Sequence, residues 1–502
     1  MEKTQKKNHG LLISLGIIAI ASVAFMVFML TSNAPRLNTR TAPEGSPTLV
    51  LFDGPSTMTS SSMASIWVEG HSLFVYDVMV NHEHIWNANT IPSRTPMAYF
   101  DFEGEVTIEV ELPGLGQDIV SAQILPAAHG ITPTLENNRV SFTIDTPGFY
   151  TLIFNGEVYQ ATHIFANPLE TDIPDRNDPN VIFIDPGHWD LDVILLESGQ
   201  TLYISGGAVI NSVVVADGVE NITIRGRGII CGDGFPAWNQ TGAYARVPID
   251  IRNSRDITAE GFILINGNAW KFNSYNSSDL FASNIKIISG RQNGDGFTFQ
   301  SCRRHTVVDS FARTWDDTLV IKNYAGSSSD ITFERIQIWT DLAQSMEIGY
   351  ETNMGLTINP RIYNITFRDI YVLYNNHKPV ISIHNGDDAE IFNVLWENIT
   401  VDNAFMRGDH GHNNELIEFH MLKTHWSTVW DEWGSIRDIT IDGLVVHNTL
   451  DGRIPNSNFW GHNDNHLVEN VTMRNIYILG ERITSLEQLN ANVNYATNIT
   501  IE

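Results

Sequence analysis

Between residues 181 and 502 the chain repeats one short pattern of polar and apolar residues. Each copy has an Asn or Asp, a few β-forming residues, a polar pair and a second β-forming run, as in ENITIRGRGII at 220–230. The third residues of the ten copies are unevenly spaced, at positions 222, 257, 280, 306, 331, 365, 394, 439, 471 and 499. Repeats of variable length that can bury their apolar faces only against each other are typical of a solenoid. The pattern therefore predicts a parallel β-helix.

A second series of short strands lies between these copies. Six segments alternate apolar and polar residues: WKFNS (270–274), FTFQS (297–301), LVIKN (319–323), MEIGY (346–350), ISIHN (381–385) and IEFHM (417–421). Side chains alternate between the two faces of a strand, so one apolar stack should point inward. Its expected members are Phe272, Phe299, Ile321, Ile348, Ile383 and Phe419.

The alternate positions of these strands predict one long, mostly polar outward face. Its expected members are Lys271, Asn273, Thr298, Gln300, Val320, Lys322, Glu347, Gly349, Ser382, His384, Glu418 and His420. Such a density of hydrogen-bonding groups suits recognition of a hydroxyl-rich polymer. An ordinary solvated sheet face has the same pattern and stays open as an alternative.

The region before the solenoid has a different pattern of apolar and polar residues. Short alternating runs such as VTIEVEL at 106–112, separated by Gly, Pro, Asn and Asp, predict a small antiparallel β-sandwich over residues 48–166. The polar stretch 167–180 contains three prolines and is expected to be a linker. No catalytic constellation is visible in the sandwich, so the solenoid at 181–502 is expected to be the catalytic domain if the protein is an enzyme.

The N-terminus has the features of an export segment. Residues 11–30 are uncharged and mostly apolar, long enough to cross a hydrocarbon layer, and they follow a basic segment at 1–10. We expect a membrane anchor, with a Ser/Thr/Pro-rich stalk at 31–47 and the remaining chain on the extracellular face. A cleaved signal sequence is the alternative, and the protein would then be secreted.

Composition narrows the possible partners. The chain has 502 residues, 42% of them hydrophobic, and a formal net charge of −28. This charge argues against binding of nucleic acid, whose phosphates require Lys and Arg. With only two cysteines, Cys231 and Cys302, the chain has neither a disulfide framework nor a multi-thiolate zinc site, and whether the two pair stays open. No cofactor or metal is predicted.

Three aspartates are candidates for catalysis. Asp295 lies four positions before Phe299, and Asp317 lies four before Ile321, with Asp316 beside it. Stacked strands are about 4.8 Å apart, so matching registers would make Asp295 and Asp317 neighbours in a cleft at the surface. Clustered carboxylates repel each other, so at least one should have a raised pKa and serve as an acid beside a base. Alternatively, these residues form turns or bind a structural calcium.

These motifs resemble those of two glycosidase families. The segment NGDG at 293–296, followed by Asp316-Asp317, resembles motifs of the polygalacturonases, glycoside hydrolase family 28, and of the dextranases and isopullulanases of family 49. The resemblance implies a right-handed parallel β-helix and, for family 49, an N-terminal β-sandwich. It also implies that Asp316 is the general acid, that Asp295 and Asp317 activate water, and that the reaction inverts the anomeric carbon.

The chain departs from polygalacturonases at two places. Where they have a His-Gly motif, it has SMEIGYET at 345–352, and near residue 361 it has no convincing Arg-x-Lys motif to bind a substrate carboxylate. We therefore expect a neutral α-linked polysaccharide or oligosaccharide, although Lys322 leaves an acidic sugar open. The predicted substrate contacts are Lys271, Asn293, Gln300, Trp315, Lys322, Glu347, Tyr350 and His384.

Other functions remain possible on the same fold. One is a polygalacturonase-like pectin hydrolase, and another is a polysaccharide lyase, which needs a uronate, a cationic base and usually calcium. A solenoid that binds glycans without cleaving them is the third.

Overall fold

The computed structural model describes residues 47–81, 94–233, 235, 247–408 and 414–502. The predicted basic segment, apolar segment and almost all of the predicted stalk lie outside these ranges, so they stay predictions. No helix among the described residues is both long enough and apolar enough to cross a bilayer. In the same ranges the helical segments are two 3-10 turns, at Pro113–Leu115 and Ala127–His129.

Two sheets form the N-terminal sandwich. Its strands are β1 (Thr48–Leu51), β2 (Ser65–Val68), β3 (His71–Ser72), β4 (Tyr76–Met79), β5 (Arg94–Glu103), β6 (Val106–Glu111), β7 (Ala122–Leu125), β8 (Thr134–Glu136), β9 (Arg139–Ile144), β10 (Gly148–Phe154) and β11 (Glu157–Pro168). One sheet has the order β1-β5-β11-β10-β7 with β4 on β5, and the other has the order β3-β2-β6-β9-β8. Most pairs are antiparallel, as expected, but β11 runs parallel to β5.

The described residues from Val181 onward form one sheet of 27 strands wound into a right-handed parallel β-helix, as predicted. Its strands are β12 (Val181–Ile184), β13 (Gly187–Leu195), β14 (Thr201–Ile204), β15 (Ala208–Asp217), β16 (Glu220–Gly226), β17 (Ile229–Cys231), β18 (Ile249–Arg252), β19 (Arg255–Glu260), β20 (Ile263–Ile265), β21 (Phe272–Tyr275), β22 (Ser278–Ser283), β23 (Lys286–Ile288), β24 (Phe297–Gln300), β25 (Arg303–Thr314), β26 (Leu319–Lys322), β27 (Ser328–Thr340), β28 (Met346–Tyr350), β29 (Arg361–Asn375), β30 (Ile381–Asn385), β31 (Glu390–Val401), β32 (Ile417–Met421), β33 (Ser435–Val446), β34 (Ser457–Trp460), β35 (Val468–Ile478), β36 (Glu481–Ile483), β37 (Ala491–Asn494) and β38 (Ala496–Ile501).

The Asn or Asp of each repeat has a backbone role. The residue before each in-register anchor has a φ between 54° and 58°, the left-handed region that Asn and Asp tolerate. Several of these side chains also bond from coil to coil, as when Asn364 Nδ2 donates to Asp330 Oδ1 at 2.8 Å and Asn393 Nδ2 donates to Asn364 Oδ1 at 2.6 Å. Turn geometry and this ladder explain why the repeat is visible in the sequence.

Nine of the ten predicted anchors pair in register. The column is Ile222, Ile257, Leu280, His305, Ile331, Ile365, Val394, Ile439, Val471 and Ile499. The exception is the fourth anchor, which is His305 and not Thr306. Arg304 takes the left-handed position there, with φ 55°, so the Asn/Asp signal that sets the register in other copies is missing.

The second strand series supplies the predicted inward stack, with one shift. Phe299, Ile321, Ile348, Ile383 and Phe419 are in register. Phe272 also points inward, but it pairs with Phe297, two residues earlier than expected. Because the shift is an even number of residues, each side chain stays on its predicted face.

The sandwich packs directly on the solenoid. A single apolar cluster contains sandwich residues such as Phe165 and solenoid residues such as Phe311 and Trp339. In the same contact Arg313 is paired with Asp341 at 3.0 Å, and both side chains are buried. Trp339 therefore belongs to the contact with the sandwich.

Cys231 and Cys302 are buried free thiols, so they form no disulfide with each other.

Candidate active site

The strand register brings two aspartates together. Asp295 and Asp317 come two residues before β24 and β26, in which Phe297 pairs with Leu319. The backbone ladder continues towards the carboxylates, because Gly296 N–H donates to the Asp317 carbonyl at 2.8 Å. The two residues are therefore equivalent positions on successive coils, as the sequence predicted.

Asp316 completes the cluster from the turn before β26. Its Oδ2 accepts a hydrogen bond from the Asn293 N–H at 3.2 Å, and its Oδ1 accepts one from the Asp317 N–H at 3.1 Å. Asn293 has a φ of 53°, so the turn itself aims this donor. A Cβ at Gly296 would lie 2.4 Å from the Thr318 carbonyl oxygen. This close approach explains why the last residue of the NGDG segment is glycine.

Burial of the carboxylates corrects the expectation of an open cleft. Asp295 is 3% exposed and Asp317 is 7% exposed, while Asp316 is half-buried. Burial and the Asp316 charge hold the pKa of Asp295 well above its usual range, against the attraction of Lys322. Burial, Asp316 and Glu347 raise the pKa of Asp317 to about 7. The cluster therefore holds a proton near neutral pH, and this proton is shared among the interacting aspartates and is not assigned to one of them.

Lys322 balances the negative charge at the site. Its Nζ lies 3.1 Å from Glu351 Oε2 and 3.8 Å from Asp295 Oδ2, and the side chain is buried. Burial alone would lower the pKa of Lys322, but Glu351 and Asp295 raise it well above its usual range. Tyr324 Oη donates to Glu351 Oε1 at 3.0 Å. The ring of half-buried Trp270 lies 5.5 Å from the ammonium nitrogen.

Lys271 is fully buried beside Asp295, which corrects its predicted contact with substrate. Its Nζ donates to the carbonyl oxygens of Gly267, at 3.1 Å, and Ala269. Burial lowers the pKa of Lys271 to about 7, although Asp295 opposes this effect. The side chain therefore supports the loop before β21.

The predicted substrate contacts of Gln300 and Trp315 are corrected for the same reason, because both side chains are buried. Gln300 is 2% exposed and its Nε2 donates to Asn273 Oδ1 at 2.7 Å, within a polar chain that continues to Asp250. Trp315 is 2% exposed, so its ring packs in the interior. Neither side chain presents a surface to a glycan.

A row of charged residues crosses the next coils. His384 Nδ1 lies 2.9 Å from Glu347 Oε1, and its Nε2 lies 3.2 Å from Glu418 Oε2. His420 pairs with Glu418 at 3.3 Å, and Ser382 Oγ donates to Glu347. Burial alone would lower the pKa of His384, but the two glutamates raise it to about 10, so the imidazole is charged. Glu347 and His384 are buried and bind each other, which corrects their predicted contact with substrate.

Tyr350 links this row to the aspartates. Its ring stacks on His384, with centroids 4.3 Å apart and planes 5° from parallel. Gln344 Nε2 donates to Tyr350 Oη at 3.0 Å, and the Gln344 N–H donates to Asp317 Oδ1 at 3.1 Å. Gly349 contributes no side chain to the polar column. A Cβ at this position would lie 2.1 Å from the His384 carbonyl oxygen, so only glycine fits.

Three residues that act on the aspartate cluster were not among the predicted site residues. Glu351 directly follows the strand that drew attention to Glu347, but it lies beyond the alternating stretch and carries no motif. Gln344 comes from a loop whose path only the structure defines. Lys378, also in a loop, lowers the pKa of Asp317 through its charge.

Among the described residues, no group of three or more His, Cys, Asp or Glu side chains has the arrangement of a metal site.

The comparisons with known proteins agree with this picture. Residues 197–341 match the family model of glycosyl hydrolases family 28. Among solved structures, Dex49A from Penicillium minioluteum has a TM-score of 0.62 at 13% identity, over 93% of this chain and 100% of that chain. The exopolygalacturonase of Thermotoga maritima has a TM-score of 0.48 at 15% identity, over 64% of this chain and 83% of its own. No curated protein sequence matches significantly. The family 28 match confirms, over residues 197–341, the resemblance seen in the aspartate motifs, and the likeness to Dex49A shows the same fold. This chain is a glycoside hydrolase built on a parallel β-helix.

Proposed function

We propose that this glycoside hydrolase cleaves a neutral α-linked glycan with inversion, using Asp316 as the acid and Asp295 with Asp317 as the base. The observation that carries the proposal is the register of β24 and β26, which brings these carboxylates onto successive coils. Asp316 is the most exposed of the three and the one that a glycosidic oxygen can reach most directly. The two buried aspartates have raised pKa values, so the reactive form is the one in which both have lost their protons, and each is then a stronger base than an ordinary carboxylate.

The proposed reaction has two proton transfers, one from Asp316 to the leaving oxygen and one from the attacking water to Asp295 and Asp317. Asp316 protonates the glycosidic oxygen as its bond to the anomeric carbon breaks. A water held by Asp295 and Asp317 attacks that carbon from the opposite face and gives its proton to this pair. Exchange with solvent then restores the proton of Asp316.

Charge around the aspartates favours a neutral substrate. Lys322 is held between Glu351 and Asp295, and Lys271 is buried against backbone carbonyls, so both cations already have partners. A uronate carboxylate would have to compete with these partners and also approach a chain of net charge −28. A neutral sugar pays neither penalty.

A uronate polymer is the second candidate. The match of residues 197–341 to family 28 favours it, because that family includes the polygalacturonases. The charge of Lys378 near Asp317 is the local feature that could attract such a substrate.

A screen of reducing-sugar release from dextran, pullulan and polygalacturonate tests both candidates. We expect release from a neutral glycan, with the first product in the inverted anomeric form by NMR. The Asp316→Asn variant should lose activity by at least two orders of magnitude. Asp309→Asn is the matched control, because Asp309 is an exposed aspartate paired with Arg335 at 2.6 Å elsewhere on the solenoid. Full activity of Asp316→Asn, or release from polygalacturonate alone, would contradict the proposal.

A further inference from the structure

An exposed aromatic loop follows β32, beside the candidate active site. Trp426 is 42% exposed and Trp430 is 57% exposed, both unusual for so large an apolar ring. The loop after β28 adds Leu356, which is 65% exposed, and Ile358, which is 88% exposed. Exposed apolar side chains that are grouped on two loops are typical of a surface that binds a ligand or partner.

The aromatic loop is continuous with the catalytic aspartates. The Trp426 ring lies 5.4 Å from the ring of Tyr350. Tyr350 accepts a hydrogen bond from Gln344, whose N–H binds Asp317. Tyr350 ends β28, which is the strand next to β26, so the loop after β32 brings Trp426 back towards the coil of Asp317.

A buried carboxylate holds the loop in place. Asp387 is fully buried and accepts hydrogen bonds from the N–H groups of Thr352 at 3.0 Å, Asn353 at 2.9 Å, Thr428 at 2.6 Å and Val429 at 2.8 Å. These donors come from two loops, one after β28 and one after β32, so Asp387 ties the two together.

Lys423 adds a second tie within the same loop. Its Nζ donates to the carbonyl oxygens of Gly386 at 3.1 Å and Glu432 at 2.8 Å. The exposed indole of Trp426 is therefore carried by a segment anchored just before and just after it. A ring fixed in this way loses little conformational entropy when a ligand stacks on it.

We propose that Trp426 is a distal subsite that stacks on a sugar ring of a long glycan chain while another part of the same chain occupies the aspartate cluster. A pyranose presents an apolar C–H face that suits an indole, and its hydroxyls suit the polar groups around it. The continuity from Asp317 through Gln344 and Tyr350 to Trp426 is what selects a glycan over other ligands for this surface. The inference rests on the proposed function and adds to it a preference for polymers.

Affinity electrophoresis of the full chain tests the subsite without catalysis. Asp316→Asn is run in native gels that contain dextran, pullulan or polygalacturonate, alone and with Trp426→Ala. We expect a neutral glycan to retard Asp316→Asn, and Trp426→Ala to raise the glycan concentration needed for half-retardation by roughly tenfold or more. Trp426→Phe should keep most of the retardation, and Tyr477→Ala, at an exposed aromatic residue of β35, should keep all of it.

Each result has a defined meaning. Retardation that Trp426→Ala leaves unchanged, or an absence of retardation in all three gels, overturns the subsite. Retardation that depends on Trp426 in a protein with no hydrolytic activity overturns the proposed function and keeps the subsite. In active protein, Trp426→Ala should raise KM for the polymer by a larger factor than it lowers kcat on the same polymer.

Discussion

Replacing Asp317 with Asn should abolish activity and yet stabilise the folded protein at and above neutral pH. Burial and the charges of Asp316 and Glu347 raise the pKa of Asp317 to about 7, against Lys322 and Lys378, from an ordinary value of 3.8. At 1.36 kcal/mol for each pH unit, ionising Asp317 in the folded state costs about 4 kcal/mol. Asn carries no such cost, and its side-chain oxygen can still accept the Gln344 N–H.

The sign of the pH dependence follows from the raised pKa. Between about pH 4 and pH 7 the folded protein keeps a proton that the unfolded chain has released, so wild-type stability falls as the pH rises through this window. Asp317→Asn does not titrate there. Its advantage over the wild type should be near zero at pH 4, grow through pH 6 and level off by pH 8 at no more than about 4 kcal/mol.

Thermal unfolding followed by circular dichroism at pH 4, 6 and 8 measures this difference. Asp279→Asn is a control of opposite sign, because Arg304 lies 2.6 Å from Asp279 and its hydrogen bond lowers the pKa of Asp279 to about 2. That variant should lose a little stability above pH 4 and approach the wild type as the pH falls towards 2. If Asp317→Asn is less stable than the wild type at pH 8, or its advantage does not change with pH, the reasoning from burial is refuted.

Two further outcomes are expected. His384→Gln leaves Glu347 buried without its cation and leaves Glu418 with His420 alone, so it should lower the free energy of unfolding by about 3–5 kcal/mol at pH 6, and a loss below about 1 kcal/mol would contradict the paired geometry. Because the pKa of His384 is raised to about 10, this loss should be complete below pH 6.5 and shrink as the pH rises through 10. Cys231 and Cys302 should not react with a thiol reagent in the native protein and should give two free thiols after denaturation, since both are buried and burial raises the pKa of Cys231 to about 12. Fewer than two thiols after denaturation would show that they pair.

The solenoid was predictable because its repeat has a local physical cause. Asn or Asp at the left-handed turn, followed by alternating β-formers, fixes both the turn and the inward face of each coil. The one misplaced anchor confirms this cause, since Arg304 occupies the turn where the signal is missing. The shift of Phe272 left its inward orientation correct because strand faces repeat every second residue.

The aspartate cluster was predictable only in part. The equal spacing from Asp295 to Phe299 and from Asp317 to Ile321 placed the two carboxylates on neighbouring coils. Nothing in that spacing showed that they are buried, or that Lys322 is shared with Glu351. Glu347 and His384 were correctly placed on the outward side of their strands, but the two side chains are buried and bind each other.

The sequence by itself determined the coil, the strand faces and the meeting of the aspartates, because each depends on short-range periodicity and on the fixed spacing of stacked strands. Only the tertiary structure decided which of the outward side chains are buried, because burial depends on the contacts that each one makes with other coils and loops. It also decided the charge state of the site. The pKa values of Asp317 and His384 follow from neighbours on other coils, and no local pattern in the sequence encodes those contacts.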